Sequence, residues 1–426
     1  MPSDADPNRQ RTHPPWPAVE LEELAWRSAL PLDLLSAEAR TQHLVPYFAA
    51  IPANIAHIGD LLSHLPDETT AVSTEAEALV REFDDEVDQQ IGPFGAVLLR
   101  AEASASAQIE NVIADAEQVA LAELGERTRL GAAQVVGGIA ATRIATSLPA
   151  DLDEGSVLAI HRALLAGAEP KIAGHWRTDQ LWMGGARYSP HGAKFVPPRP
   201  GRLAHALEDL EDFAQSEDMP PIPFAAITHA QFEAIHPFTD GNGRVGRAVI
   251  HALWHRMELT RTTLVPISSG LLGDKETYCA ALAAYQRGEV APIVDVLAWA
   301  VFDSVANART LIAQLHATRA GWAPRIPAEA DRHVWPLMDL VVRQPVLHAA
   351  AVQTELGVSP TQAADAICAL AEIGALAEAG RPGGTALWRS AAVLAALDGF
   401  TTRAGISHVG DNRRRTQRQH RGPGGR

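Results

Sequence analysis

From about residue 34 onward the apolar positions of this chain recur with helical spacing, and Ala, Leu and Glu dominate the runs. STEAEALVREFDDEVDQQ (73–90) and AVLLRAEASASAQIENVIADAEQVALAEL (96–124) predict two long helices separated by Gly92-Pro93. PFAAITHAQFEAI (223–235) predicts another. Downstream of it Val245, Ala248, Val249, Ala252 and Leu253 fall at i, i+3, i+4, i+7 and i+8, an amphipathic helix packed on a core. The one convincing strand signal is QLWMGGARYSPHGAKFVPPRP (180–200), where Ser189-Pro190-His191-Gly192 suits a type I turn between two short strands. Near the C-terminus the pattern reads helix (332–343), helix (346–356), a Gly357-Val358-Ser359 turn, helix (360–373), then Ala375–Glu378 and Thr385–Arg389 around a Gly-rich turn. That order predicts a winged helix-turn-helix.

The chain has 426 residues, which implies two or three domains, and its hydrophobic content of 46% suffices for ordinary cores. The pattern divides it into a disordered lead-in (1–20), an N-terminal helical region (21–125), a helical core (126–317), a linker (318–330) within RAGWAPRIPAEAD, the winged helix (331–405) and a disordered basic tail (406–426). A net charge of −15 argues against coating nucleic acid. The exception is DNRRRTQRQHRGPGGR, with six Arg against one Asp, which leaves −20 for the preceding 410 residues. The two cysteines, Cys279 and Cys368, lie in apolar helical runs and provide no disulfide framework. The N-terminus lacks the basic-then-apolar order of a signal peptide, and no apolar run approaches the ~20 residues that span a bilayer. The expectation is a cytoplasmic protein without a membrane partner.

HPFTDGNGRVGR (236–247) concentrates the chemistry in a loop between two helices. Gly241, Asn242 and Gly243 stand at a helix N-terminus, where free N–H groups and the helix dipole attract phosphate. Arg244 and Arg247, three apart, reach the same polyphosphate. Asp240 beside phosphates calls for Mg²⁺ between the two anions. His236 suits a base that takes a proton from an incoming hydroxyl. Together they are the parts for transferring a group from a nucleoside triphosphate. His161, His251 and His255 read as core or surface groups, and no zinc site is expected.

HPFTDGNGR with Arg247 resembles the signature of the Fic family. The resemblance implies a mostly α, Fic/Doc-like helical bundle with a β-hairpin flap. It also implies movement of AMP from ATP to a Ser, Thr or Tyr hydroxyl of a target protein. By resemblance His236 is the base, Asp240 the Mg²⁺ ligand, 241–243 the phosphate nest and Arg244 and Arg247 the clamps. The hairpin is similar to the family's flap, on which a protein substrate docks at 180–197 by strand addition. TYCAALAAYQRGEVAPIVDVLAW (277–299) resembles the segment beside the adenine pocket and makes Tyr278 either a nucleotide contact or a core tyrosine.

Ser106-Ala107-Gln108-Ile109-Glu110-Asn111 matches the inhibitory Ser/Thr-x-x-x-Glu-Gly/Asn pattern of autoinhibited members. Glu110 on Arg247 would take the guanidinium that the terminal phosphate needs. Three alternatives stay open: removal of AMP with Glu110 orienting water, phosphotransfer on the same fold, and DNA regulation through the winged helix. SPTQAADAICALAEIG (359–374) has no Lys or Arg, which favours a protein contact over nucleic acid for that module. A homo-oligomer that buries Glu110 between copies also stays open.

Overall fold

The computed structural model describes residues 15–406 apart from short gaps at 28–30, 35, 43–44, 90–93, 127, 149–152, 186–187, 217–218, 331 and 382–383. The basic tail, the first fourteen residues and Gly92-Pro93 thus lie outside the described residues. Residues 15–20, read from sequence as part of a disordered lead-in, are ordered. Trp16 is buried with its ring 5.9 Å from that of Tyr285, and Val19 N–H donates to the Gln286 carbonyl at 2.9 Å. A single large aromatic with a distant pocket to fill overrides a local composition that favours no element.

A pair of strands, β1 (Glu20–Leu24) and β2 (Tyr47–Ile51), runs antiparallel with Glu20 opposite Ile51. The helical reading of this region contained no such pair. Each strand has five residues, and partners 23 to 31 positions apart leave no local signature. The short α1 (Ala37–Gln42) lies between them. The long α2 (Asp67–Asp88) buries Val72, Ala76, Val80, Phe83 and Val87, a stripe at helical spacing.

The run 96–124, expected as one helix, is two: α3 (Phe94–Ile109) and α4 (Ala116–Glu123). The break has a local cause. Asn111 takes a left-handed φ of 61°, its N–H bonds the Gln108 carbonyl, and Val112 N–H bonds the Ala107 carbonyl. That is a Schellman motif with Asn at the left-handed position and Glu110 at the C-cap. Asp115 then caps α4 by accepting from Gln118 N–H.

The helical core follows as α5 (Leu130–Ser147), α6 (Glu154–Leu165), α7 (Leu203–Ala214), α8 (Pro221–Ile235), α9 (Asn242–Arg256), α10 (Ile267–Gly273), α11 (Lys275–Gln286) and α12 (Ala291–Trp322). Long and apolar enough by length and composition to cross a membrane, α12 is here the central core helix, packed by α2, α8, α10, α11 and the final helix. It also runs through Trp322, into the stretch expected as linker. Small residues set the closest helix approaches: a Cβ at Gly137 of α5 would overlap the Leu164 carbonyl, and one at Gly270 of α10 the Ala300 carbonyl.

The C-terminal segment comprises α13 (Val334–Arg343), β3 (Val346–His348), α14 (Ala349–Leu356), α15 (Pro360–Glu372), β4 (Ala377–Gly380), β5 (Leu387–Arg389) and α16 (Ala391–Ala404). Residues 346–348, read as helix, pair instead with β5 in a sheet of order β3-β5-β4. Its core is continuous with that of the rest of the chain, and α16 packs on α3, α4, α10 and α12.

Gly270→Ala is expected to push α10 off α12 and lower stability by about 1–3 kcal/mol. A guanidinium unfolding midpoint checks this; a midpoint equal to that of the parent protein would mean the helices have room to spare.

Candidate active site

The signature loop joins α8 to α9, and two side chains lock it. His236 ends α8 in a left-handed conformation (φ 50°) with its N–H bonded to the Phe232 carbonyl at 2.9 Å, so the chain turns sharply there. Asn242, the first residue of α9, clasps the loop from the other side: its Oδ1 accepts from Phe238 N–H at 2.9 Å and its Nδ2 donates to the Phe238 carbonyl at 2.8 Å. Phe238 is fully buried, sandwiched between the rings of His161 at 3.6 Å and Trp176 at 4.7 Å. The amide of Asn242 is therefore spent on the loop, and only its backbone remains for an anion.

Two residues hold the loop from beneath: Arg177, which the sequence reading did not single out, and His161, which it placed among core or surface groups. Arg177 donates through Nε to the His236 carbonyl (2.7 Å) and through its other guanidinium nitrogens to the carbonyls of Asp179 (3.0 Å) and Pro198 (2.5 Å). Its own N–H reaches the Pro237 carbonyl, so one buried arginine ties the loop to the end of the 180–197 segment. His161 accepts from Gly174 N–H at Nδ1, so its proton sits on Nε2 and points to the Asp240 carbonyl at 3.1 Å. Neither residue belongs to the signature, and no local sequence pattern marks their role.

At the start of α9, Gly241 is left-handed (φ 85°), and Val245 is the first residue whose N–H finds a carbonyl in the turn. The N–H groups of 242–244 are the helix's open donors. Arg244 is only 5% exposed; one nitrogen donates to Asp240 Oδ2 at 2.7 Å. Its Nε and Nη1 are buried with no partner among the described residues. Unsatisfied buried guanidinium donors are expensive.

Arg247, 1% exposed, is by contrast fully engaged. Nε donates to Ser106 Oγ, and Nη2 to the Ser106 carbonyl and to Glu110 Oε1, each at 2.9 Å. Burial works against its charge, yet Tyr278, Glu110 and Glu233 around it hold the guanidinium protonated well above its ordinary value. The Glu110 carboxylate also fills the space over Gly243 that a side chain there would take. A protein carboxylate therefore sits at the α9 N-terminus, where an anion is electrostatically favoured. Asn111, beside it, accepts from Lys275 Nζ at 3.3 Å.

His236 and Asp240 occupy the rim. Asp240 is 46% exposed, with Arg244 on one oxygen. His236 Nδ1 is buried without a hydrogen-bond partner, and the nearest carboxylate is that of Glu233, 3.6 Å away. Burial alone would raise the Glu233 carboxyl; His236, His229 and Arg247 reverse that and hold it below the usual carboxylate value. Tyr278 is buried, and its hydroxyl lies 2.7 Å from His229 Nε2 beside Arg247. His251 is a core group, 3.3 Å from the buried Glu102, which in turn accepts from Ser268 N–H.

The 180–197 segment forms a small hairpin closed by one bridge, Met183 with Phe195. Its turn begins one residue later than expected, with Ala193 N–H on the Pro190 carbonyl at 3.1 Å. The reason is Gly192, whose φ of 73° suits the third position of a type II turn rather than the fourth of a type I. The N-terminal strand pair braces this hairpin: Ala50 N–H bonds the Val196 carbonyl, and Tyr47, Ala49 and Val196 pack with Trp26 and Trp182.

Burial pushes both His161 and His229 down from 6.5 to about 4. Between these values the unfolded chain binds protons that the folded chain does not. Stability is therefore full above about 6.5 and falls as pH drops towards 4, by about 1.4 kcal/mol per pH unit for each histidine. Urea titrations at stepped pH should show this slope, and His161→Gln should remove one histidine's share of it; an unchanged slope in the variant would count against the assignment.

Residues 151–254, from the entry of α6 to the last turn of α9, match the Fic/DOC family model. The chain is 32% identical over 145 residues to a protein adenylyltransferase fic-1 of Caenorhabditis briggsae, covering 33% of this chain and 26% of that protein. It is 31% identical over 172 residues to a protein adenylyltransferase Fic of Nematostella vectensis, covering 40% and 36% respectively. It thus spans only about a third or less of these relatives. Among solved structures, a Fic family protein from Desulfovibrio desulfuricans superposes with a TM-score of 0.49 at 21% identity, covering 75% of this chain and 95% of that one. A Fic-1 fragment from Caenorhabditis elegans gives 0.45 at 22% identity, covering 57% and 74%. The matched segment contains the whole loop from His236 to Arg247, so in this segment the chain is similar to the Fic/DOC family.

Proposed function

We propose that the protein is a Mg²⁺-dependent protein adenylyltransferase, which moves AMP from ATP to a hydroxyl of a target protein and is held back by Glu110. The observation that carries the reading is the pair of unpartnered donors on buried Arg244 in the first turn of α9, the turn whose N–H groups at 242–244 are open, with His236 at the loop's rim. A polyphosphate satisfies all of them at once. The names of the relatives point to the same transfer.

His236 takes the proton of the target hydroxyl as its oxygen forms a bond to the α-phosphorus. The bond from that phosphorus to the bridging oxygen breaks, and pyrophosphate leaves. Asp240, partly exposed next to the anion site, offers a carboxylate oxygen for Mg²⁺, which when bound neutralises phosphate charge. The hairpin at 180–197 is the docking edge for the target segment, and Arg177 fixes its base relative to the loop.

Glu110 restrains the reaction because it occupies the Arg247 guanidinium and the space above Gly243. With its side chain 40% exposed, the pair is a partly solvated one that ATP displaces at a free-energy penalty. A charge-assisted bond of about 1.5–3 kcal/mol corresponds to roughly 10- to 100-fold suppression.

Glu110→Gly is expected to raise self-labelling by ATP by that factor, and His236→Ala in the same background to abolish it. Mass spectrometry of the Glu110→Gly protein after incubation with ATP and Mg²⁺ reads the product. The mass of AMP on a Ser, Thr or Tyr supports the proposal. A phosphate would indicate the phosphotransferase reading, and no adduct on the protein or on a lysate would remove the activity from the account.

A further inference from the structure

Glu233 faces the active site from α8, one helical turn before His236, and it is the least explained charge there. Its carboxylate has two directions of contact. Oε2 lies 3.6 Å from His236 Nδ1, and Oε1 is 3.3 Å from where a side chain on Gly243 would begin, close to Arg247. The residue is 14% exposed and the ring 15%, so little water competes for either. His236 Nδ1 has no hydrogen-bond partner among the described residues, and a buried ring nitrogen needs one.

We infer that Glu233 is a positioning residue for His236: its carboxylate holds the imidazole with the proton on Nδ1, which leaves the Nε2 lone pair free to act as the base. The inference rests on the adenylyltransferase reading for its catalytic consequence, but not for the tautomer itself.

The chemistry follows from what each group can donate. An ionised carboxylate only accepts, so the ring nitrogen that faces it must carry hydrogen. The environment keeps Glu233 ionised: His236 and His229 on α8 and Arg247 on α9 face it, while Glu110 and the Tyr278 hydroxyl approach Arg247 from α3 and α11. Without Glu233 the imidazole reverts towards the tautomer protonated on Nε2, which has no lone pair to offer the incoming hydroxyl. Only a small closure, from 3.6 Å to an ordinary bond length, is needed to make the contact. Helix geometry supplies the alignment, since residues three apart share one face of α8.

The test uses the full chain carrying Glu110→Gly, with Glu233→Ala and Glu233→Gln added separately. Nitrogen-15 spectra of histidine-labelled protein, with the His236 resonances identified by their loss in His236→Gln, report the tautomer directly. The parent should hold its proton on Nδ1, Glu233→Ala should move it to Nε2, and Glu233→Gln, whose amide oxygen still accepts, should keep it on Nδ1. In parallel, Glu233→Ala should lower kcat for AMP transfer about 10- to 100-fold with KM for ATP changed by less than about threefold, and Gln should recover part of the loss. A proton that stays on Nδ1 in Glu233→Ala, or a kcat within about twofold of the parent, would overturn the inference. If the parent transfers no AMP, the proposed function fails, and the spectra still decide the role of Glu233.

Discussion

A guanidinium almost wholly removed from water governs the arrangement of this site. Arg247 cannot be buried as a bare cation, and every element that approaches it brings a compensating group: Ser106 and Glu110 from α3 and its C-cap, Glu233 from α8, Tyr278 from α11. Three helices therefore converge on one charge carried by a fourth, α9. In this constellation the carboxylate of Glu110 satisfies the arginine and also occupies the anion position at the head of α9.

The neighbouring Arg244 shows the complementary situation. Its single partner, Asp240, leaves two buried donors unsatisfied, a penalty that persists only because the fold is held elsewhere. That support comes from residues outside the signature. Arg177 fastens the loop to the base of the hairpin through three backbone carbonyls, and Phe238 is clamped between His161 and Trp176. The loop keeps its geometry while its functional groups remain underpartnered, which is the usual signature of a preorganised binding site.

The C-terminal segment takes part in this organisation. Arg100 of α3 bonds the Arg343 carbonyl at the end of α13; Ala116 N–H at the start of α4 bonds Asp398 of α16 at 2.8 Å, and Arg389 pairs with Glu117 at 2.6 Å. The turn that carries Glu110 is thus suspended between two helices that the C-terminal segment holds.

Local chemistry made much of this readable from sequence. Glycines and arginines at fixed offsets mark the N-terminus of α9, and the stripes in α2 and α9 follow from their spacing. Even the inhibitory pattern has a local logic, since its final Asn supplies the left-handed residue that ends α3 and fixes Glu110 at the cap. What the sequence could not determine depends on partners far along the chain. The β1–β2 pair, the burial of Trp16 against Tyr285, and the loop anchors Arg177 and His161 lack any periodic sign because each is stabilised across tens of residues or more. Glu233 is the sharpest case. As a letter it is the single carboxylate of α8, with no pattern to say what it faces; only the packing of α8 against α9 puts it between a histidine and a buried arginine and gives it a charge that matters.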